Sequence, residues 1–297
     1  PRLRIAVVGS GVSALSCAWL LSARHDVTLY EREDRLGGHS NTVDVRSAEG
    51  ETAVDTGFIV FNDWTYPNFI ALLNELGVES QPSSMSFSVR NEASGLEYNG
   101  TTLNTLFAQR RNLLRPAFHR MIRDILRFNR EAPSLLQQEP EARERVRGDD
   151  LAAGRYSPQF VNDYLIPMGA AIWSTDPARM LSFPARFFVR FFHNHGMLSV
   201  DKRPQWRTIR GGSARYVEKL TAPFRDRIRL NTPVESVRRL PEGVMVKTRS
   251  ADTERFDQVF FACHSDEALA MLADASPLEK AVLGAIPYQE NEAVLHT

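Results

Sequence analysis

LRIAVVGSGVSA, residues 3–14, is the stretch that decides the fold of this 297-residue chain. Leu3 to Val8 is a short apolar run rich in β-branched residues, typical of a parallel strand covered on both faces. The run ends directly in a glycine turn at 9–11, and residues 12–21 have the composition of a buried helix. A second strand is predicted at 26–30, and the acidic residue Glu31 follows it directly. Strand, glycine turn, helix, strand and acid follow the order of a dinucleotide-binding βαβ unit.

The positions of Gly9-x-Gly11-x-x-Ala14 each have a physical role. Gly9 permits a tight turn, Gly11 lets the backbone approach a pyrophosphate closely, and Ala14 lets the helix lie against the strand. The helix N-terminus offers free N–H groups and the positive end of its dipole to the pyrophosphate. Glu31 stands where an acid accepts hydrogen bonds from ribose hydroxyls. A tight turn without a ligand is the alternative, but the acid in its required place favours the nucleotide.

A second glycine pair follows the acid in Glu31-x-x-x-Arg35-x-Gly37-Gly38. A nicotinamide-binding unit has no need of such a pair. The segment resembles the extended FAD motif of the flavin amine oxidase superfamily. That superfamily includes monoamine and polyamine oxidases, protoporphyrinogen oxidase and the carotenoid desaturases.

Further segments carry the same resemblance. Residues 54–58, Val-Asp-Thr-Gly-Phe, are similar to the Asp-x-Gly segment beside the flavin in that superfamily. Residues 210–213, Arg-Gly-Gly-Ser, resemble the glycine pair that opens a helix of its FAD domain. Residues 228–234 end on Val234, where a valine backbone pairs with the adenine edge in the family. A bacterial branch of NAD/FAD-binding, amine oxidase-like proteins is similar at 55–62, and again at 183–187 and 193–196.

The resemblance implies an α/β fold, a Rossmann-like doubly wound sheet that binds FAD, with an inserted α+β substrate domain. The FAD-binding domain is predicted at 1–66 and 205–273, and the substrate domain at 67–204 and 274–297. FAD is the implied cofactor. The residues expected to bind it are Gly9, Ser10, Gly11, Val12, Ser13, Ala14, Glu31, Arg32, Arg35, Gly37, Gly38, His39, Thr56, Gly57, Phe58 and Val234.

The chain departs from the wider family at three places. His39 stands where many members have Arg or Lys, and Glu33 stands where several have a second phosphate-facing Arg. Arg32 and Arg35 are candidates to compensate. The family closes its FAD site with a C-terminal glycine turn and helix, and nothing follows Thr297 in the sequence. We therefore interpret the chain as a fragment of a longer enzyme in which both domains are incomplete.

By resemblance, the protein is an FAD-dependent oxidoreductase that transfers hydride from a C–H or C–N–H bond to the flavin. The substrate, a lipid or an amine, and the catalytic side chains are not defined by the sequence. Two alternatives stay open: a redox-neutral FAD-dependent isomerase or mutase, and a non-catalytic partner of a lipid-modifying enzyme. No Gly-x-Ser-x-Gly, His-Glu-x-x-His, Walker or Cys-x-x-Cys motif indicates a different chemistry.

The composition indicates the cellular compartment and limits the binding partners that we expect. The 36 basic residues cancel the 36 acidic ones, so no nucleic-acid partner is expected. Cys17 and Cys263 lie far apart, which favours a reducing, cytoplasmic setting. No apolar run approaches the roughly 20 residues that span a bilayer. Oligomeric state is not indicated.

A basic amphipathic segment at 110–130 has two interpretations. It is either a helix packed on the core with a solvated basic face, or a peripheral contact with anionic lipid head groups. Its predicted apolar face comprises Leu114, Phe118, Met121, Ile122, Ile125 and Leu126. Its arginines include Arg111, Arg115, Arg120, Arg123, Arg127 and Arg130.

Other elements are predicted with their alternatives. A helix begins at Ser157-Pro158 and ends near Pro167, and another spans 265–272 with Ser265 as N-cap. A buried strand is predicted at 256–262. His193 and His195 are expected on a strand or turn, in polar packing or an acid–base role, with no metal site. The Phe-rich run either forms a buried helix face or lines a pocket; its members are Phe183, Phe187, Phe188, Phe191 and Phe192.

Overall fold

The computed structural model describes residues 1–48, 50–137, 155–199, 201–249, 253–290, 292 and 294–295. The strands in these ranges are β1 Arg4–Val8, β2 Asp26–Tyr30, β3 Thr42–Ser47, β4 Gly50–Asp55, β5 Phe61–Asn62, β6 Ser80–Pro82, β7 Ser88–Asn91, β8 Leu96–Asn99, β9 Trp206–Ile209, β10 Ile228–Arg229, β11 Val234–Leu240, β12 Gly243–Thr248, β13 Glu254–Phe256 and β14 Gln258–Phe261. The α-helices are α1 Val12–Ser22, α2 Pro67–Leu76, α3 Leu103–Leu106, α4 Pro116–Glu131, α5 Pro158–Phe160, α6 Ile166–Trp173, α7 Pro177–Met180, α8 Ala185–Asn194, α9 Ala214–Thr221, α10 Ser265–Met271 and α11 Pro277–Leu283. Short 3₁₀ turns cover Arg110–Leu114, Ala132–Leu136 and Ala222–Arg227.

The described chain divides into two compact units. Unit 1 contains 1–60, 68–81 and 208–297, and unit 2 contains 61–67 and 82–207. The predicted domains differ from these units chiefly at 68–81 and 274–297, which were assigned to the substrate domain and cluster here with unit 1. The division into an FAD-binding and a substrate domain stays a prediction.

Unit 1 is built on a parallel sheet with strand order β10-β2-β1-β14. Ala6 of β1 pairs with Thr28 on one side and Val259 on the other. Four of the five β1 side chains are buried, because the strand is central in the sheet and α1 packs against it. Leu15 and Ala18 of that helix are fully buried. The α/β fold predicted from the sequence is therefore confirmed.

A second sheet of unit 1 is antiparallel and consists of β11, β12 and β13. The single buried strand predicted at 256–262 is wrong, because two strands meet there at Asp257. β13 pairs with β12, whereas β14 pairs with β1 in the parallel sheet. The side chains of β14 alternate between exposed and half-buried because this strand forms the edge of its sheet.

Helix ends follow local capping chemistry. Gly77, at φ +62°, follows the end of α2, and Ser157 Oγ accepts a hydrogen bond from the Phe160 N–H at 3.3 Å. The prediction of Ser265 as N-cap is wrong. His264 is the N-cap of α10, and the Ser265 hydroxyl donates to the Leu283 carbonyl at 2.8 Å.

The helix predicted to end near Pro167 continues to Trp173, so that boundary was wrong. Proline has no N–H to donate to the carbonyl four residues earlier, which belongs to Asp163. The backbone widens there into a π-helical turn over Val161–Leu165. The Tyr98 hydroxyl donates to the Asp163 carbonyl at 2.6 Å. The β7–β8 hairpin thus supplies the donor that proline lacks.

The core of unit 2 is aromatic. Phe118, Phe128, Phe160 and Phe192 are all fully buried. Phe188 stacks on Phe192 with ring centroids 4.3 Å apart, which confirms a buried helix face for that part of the Phe-rich run. Rings with offset or edge contacts add specific geometry to this apolar burial.

The predicted apolar face of α4 is correct for Phe118 and Met121, which are buried, but wrong for two leucines. Leu114 is 88% exposed, and Leu126 is 52% exposed. Leu114 precedes Pro116, where the helix begins, so it does not follow the helical period. Leu126 lies about 140° around the helix from Met121, on the basis of 3.6 residues per turn.

The prediction of a strand or turn is wrong for His193, which lies in α8, and is confirmed for His195, which lies in the turn that follows the helix. His193 is exposed in the last turn of α8, and His195 is its C-cap. The His195 ring stacks on Phe191 at 3.9 Å and its Nδ1 lies 2.9 Å from the Phe191 carbonyl. These contacts favour ordinary polar packing for His195.

The described residues contain neither a membrane-spanning helix nor a metal-binding cluster. None of their helices combines the length and apolar character needed to cross a bilayer. Their His, Cys, Asp and Glu side chains form no group of three or more able to hold a metal ion.

Candidate functional site

The first glycine turn lies at the carboxyl ends of β1, β2 and β14. Gly9 has φ +102°, and a Cβ there would lie 2.6 Å from the Ala262 carbonyl oxygen. Its N–H donates to the Tyr30 carbonyl at 2.9 Å. Gly11 has φ −66°, and a Cβ built on it meets no heavy atom within 4 Å. Gly9 is therefore required by close packing, whereas Gly11 borders open space.

The N-terminus of α1 is uncapped by any described side chain and has no acid in its first turn. The first hydrogen bond within the helix runs from the Leu15 N–H to the Gly11 carbonyl, at 2.9 Å. Three N–H groups, of Val12, Ser13 and Ala14, precede it and find no intrahelical acceptor. They leave a site for an anion beside Gly11.

The second glycine segment packs directly on the first. The Gly37 N–H donates to the Ser10 carbonyl at 3.0 Å, and Gly11 and Gly37 form a parallel bridge. Gly38 has φ +56°, and a Cβ on it would lie 3.0 Å from Gly11 Cα. The Arg35 guanidinium donates to the Gly38 carbonyl at 3.0 Å. The structure thus packs the two predicted glycine motifs against each other, beside the open space at Gly11.

Glu31 is fixed at the end of β2 and is only 9% exposed. Its Oε2 accepts a hydrogen bond from Ser10 Oγ at 2.5 Å, and its Oε1 accepts one from the Glu33 N–H at 2.9 Å. Each carboxylate oxygen keeps acceptor capacity for a further donor. The Thr232 N–H donates to the Glu31 carbonyl at 2.8 Å, which places the start of β11, at Val234, two residues further along.

Arg32 is paired with carboxylates. Its Nη1 donates to Glu267 at 2.6 Å, and its Nε donates to Glu33 at 3.1 Å. The negative charge of Glu267 is the main cause of a raised Arg32 pKa. Of the two arginines considered as compensation for His39, Arg35 contacts the glycine loop and Arg32 is occupied by carboxylates.

His39 and residues 56–58 form a second close backbone approach. The Phe58 N–H donates to the His39 carbonyl at 2.9 Å, and the Thr56 N–H donates to the Asn41 carbonyl at 2.9 Å. A Cβ on Gly57 would overlap the His39 carbonyl oxygen. The glycine of the Asp-x-Gly segment is therefore needed for this crossing, independently of any ligand.

Asp55 has a role that the sequence reasoning missed. Its Oδ1 accepts hydrogen bonds from Thr42 Oγ1 at 2.7 Å, Ser213 N at 2.9 Å and Ser213 Oγ at 2.8 Å. The Ala214 N–H in turn donates to Thr42 Oγ1 at 2.9 Å. Asp55 thereby ties the 54–58 segment to the glycine turn that opens α9. The signal was an acid at a strand end together with a Gly-Gly-Ser helix start.

The parallel sheet, the paired glycine segments and the acid together define an α/β protein of the dinucleotide-binding class. The sequence profile described as flavin containing amine oxidoreductase matches residues 13–294. The chain belongs to this family. Membership confirms the superfamily recognised in the sequence and FAD as its cofactor.

Individual relatives give a consistent picture. The chain is 36% identical to 15-cis-phytoene desaturase of Synechococcus elongatus over 88 residues, 29% of this chain and 18% of that protein. It is 25% identical to an L-amino acid dehydrogenase of Synechocystis sp. over 255 residues, 82% of this chain and 52% of the relative. Cyclohexylamine oxidase from Brevibacterium oxydans superimposes with a TM-score of 0.69 at 18% identity, over 96% of this chain and 63% of that one. The chain thus spans about half the length of the L-amino acid dehydrogenase.

Proposed function

We propose that the protein is an FAD-dependent oxidoreductase that accepts hydride from a C–H or C–N–H bond of its substrate. The observation that carries the proposal is the pair of glycine segments around open space at an uncapped helix N-terminus. Family membership supports it. When bound, FAD supplies the hydride acceptor, and the protein supplies position, desolvation and electrostatics.

The residues present fit the pyrophosphate and ribose of such a cofactor. Gly11 leaves room for a pyrophosphate that the N–H groups of 12–14 bind. Glu31, held by Ser10, accepts hydrogen bonds from the ribose hydroxyls. Arg35 holds the second glycine loop in place. Contacts with FAD from the other predicted residues are proposed with these; they are Gly9, Val12, Ser13, Ala14, Arg32, Gly37, Gly38, His39, Thr56, Gly57, Phe58 and Val234.

The test begins with the full-length protein and two matched variants. Gly11→Asp places a carboxylate in the open space, whereas Gly100→Asp places one at an exposed glycine of unit 2. We expect the wild type and Gly100→Asp to copurify with FAD, identified by absorbance and by mass spectrometry of the released cofactor. Gly11→Asp is expected to lose it while keeping its circular dichroism spectrum.

The same samples separate the competing functions. Loss of flavin absorbance under anaerobic conditions on adding an amine or a lipid supports the oxidoreductase. Conversion of a lipid without net flavin reduction or oxygen consumption would instead support the isomerase. A colourless protein that refuses added FAD would refute both enzymatic functions.

A further inference from the structure

Helix α4 uses its apolar face for the core of unit 2. Phe118, Met121 and Phe128 are fully buried, and Asp124 is also buried. Asp124 accepts a hydrogen bond from the Ser157 N–H at 2.8 Å and pairs with Arg127 at 3.2 Å. The packing of this segment on the core is therefore confirmed, whereas the partner of its basic outer surface stays a prediction.

The outer surface carries positive charge that described carboxylates neutralise only in part. Residues 110–130 contain seven arginines and one acid, Asp124. Among described residues, only two of these arginines, Arg127 and Arg130, lie within 4.0 Å of a carboxylate. Five do not: Arg110, Arg111, Arg115, Arg120 and Arg123. Such a concentration of cations repels itself unless an anionic partner approaches.

Two large apolar side chains stand among these cations. Leu113 is 50% exposed and Leu114 is 88% exposed, in the 3₁₀ turn that precedes the helix. His119 Nε2 lies 2.9 Å from the Leu113 carbonyl, which fixes the turn against the first turn of α4. Leu126 is a third exposed leucine, with 52% of its surface accessible. It lies seven residues after His119 and therefore on the same side of α4. Leu126 and Arg123 are therefore neighbours on the outer side of α4, and Leu113 and Leu114 are exposed in the turn that leads into this helix.

This combination favours a lipid surface over a nucleic acid. Arginines alone can bind any polyanion. A nucleic acid forms hydrogen bonds and stacking contacts with arginine, but it offers no apolar region in which leucine side chains are buried. At an anionic membrane, guanidinium groups reach phosphates while leucines enter the boundary of the acyl region. α4 lies along the surface of unit 2, with its inner side buried and its outer side exposed.

We propose that the outer surface of 110–130 docks on anionic phospholipid, with Leu113 and Leu114 inserted and Arg115, Arg120 and Arg123 against the head groups. The proposal does not depend on the proposed function, because no residue in it belongs to the FAD site. It gives the basic segment a single partner, the head groups and outer acyl region of an anionic bilayer.

The test measures sedimentation of the full-length protein with phosphatidylcholine vesicles, with and without phosphatidylglycerol. We expect binding only with phosphatidylglycerol, weakening as salt rises. Arg120→Glu/Arg123→Glu is expected to lower the partition coefficient at least 25-fold, from about fivefold per arginine. Leu113→Ser/Leu114→Ser is expected to lower it about tenfold or more. The matched control is Arg24→Glu/Arg238→Glu, two exposed arginines of unit 1 that form no ion pair with the described part of the chain, and it should retain most of the binding.

Several outcomes would overturn the proposal. Equal binding to uncharged vesicles, or equal losses in the control double variant, would remove the assigned surface from the interaction. Retention of a duplex RNA or DNA probe in the absence of vesicle binding would identify a nucleic-acid surface instead. Because all four variant positions in 113–123 are exposed, unchanged circular dichroism is expected, and it keeps a loss of binding interpretable.

Discussion

Substitution of Asp55 by alanine should destabilise unit 1 far more than a surface mutation does. The carboxylate is the acceptor for both polar hydrogens of Ser213, a residue with no exposed surface. Alanine removes the acceptor and leaves a buried N–H and a buried hydroxyl with poorer partners. Each unsatisfied buried group costs about 1–3 kcal/mol, so the free energy of unfolding should fall by roughly 4 kcal/mol.

The control for this prediction lies in the same hairpin. Asp44 of β3 is exposed and forms no ion pair with a described residue, so Asp44→Ala should stay within about 0.5 kcal/mol. Asp55→Asn keeps one oxygen acceptor but turns an N–H donor toward the remaining donor groups. Its loss of unfolding free energy should therefore lie between those of Asp44→Ala and Asp55→Ala.

Urea unfolding followed by circular dichroism measures these differences. Hydrogen exchange of the Ser213 and Ala214 amides gives a local readout, because both lie at the start of α9. Asp55→Ala should accelerate exchange at these amides. If its loss of stability matches that of Asp44→Ala, the anchoring role assigned to Asp55 is wrong.

Three further predictions concern the glycine turn, an ion pair and a thiol. Gly9→Ala should lower the free energy of unfolding by about 2–5 kcal/mol, from a positive φ and a backbone overlap. Gly11→Ala should change it by less than about 1 kcal/mol, since its φ suits alanine. The hydrogen bond from Arg229 is the main cause of the lowered pKa of Glu254, so the stability from this pair is complete above the ordinary pKa of 4.5 and is lost as pH falls below it. Arg229→Met should flatten that acid decline in urea titrations. Burial raises the pKa of the Cys263 thiol to about 11, so alkylation at pH 8, followed by mass spectrometry, should be about 100-fold slower than for a thiol of pKa 9.0.

Each of these predictions can fail clearly. Equal stability of the two glycine variants would contradict the close contact at Gly9. If the free energy of unfolding of Arg229→Met falls at acid pH as steeply as that of the wild type, the pH dependence comes from other carboxylates. Rapid alkylation of Cys263 in the native state would show that its thiol is neither buried nor protonated as described.

The sequence predicted the strand, glycine-turn and helix order of unit 1 well because its constraints are local. Gly9 needs a positive φ, Gly11 precedes a helix, and Glu31 follows a strand, and all three requirements are visible over 30 residues of chain. The family resemblance rests on the same stretch. Contacts between distant segments were not visible, and Asp55 with Ser213 is the main example.

The errors of prediction have identifiable causes. Pro167 was interpreted as a helix end because proline lacks an N–H, but the Tyr98 hydroxyl from a separate hairpin satisfies the freed carbonyl. Leu114 fits a helical period that Pro116 interrupts. The strand at 256–262 was read as continuous because its apolar run hides the change of sheet at Asp257. In each case a tertiary contact or a single backbone constraint outweighed the local pattern.

The central position of β1 has a consequence for synthesis on the ribosome. Its neighbour β14 joins it across 253 residues, the separation between Arg4 and Asp257, whose backbone N–H and carboxylate are hydrogen-bonded. At about 5–20 residues per second, the first strand waits roughly 10–50 seconds for that neighbour. Unit 2, contiguous from 82 to 207, emerges earlier and has its partners within reach. The nascent chain therefore carries an unpaired apolar strand edge during this interval, which is a site for aggregation until β14 pairs with it.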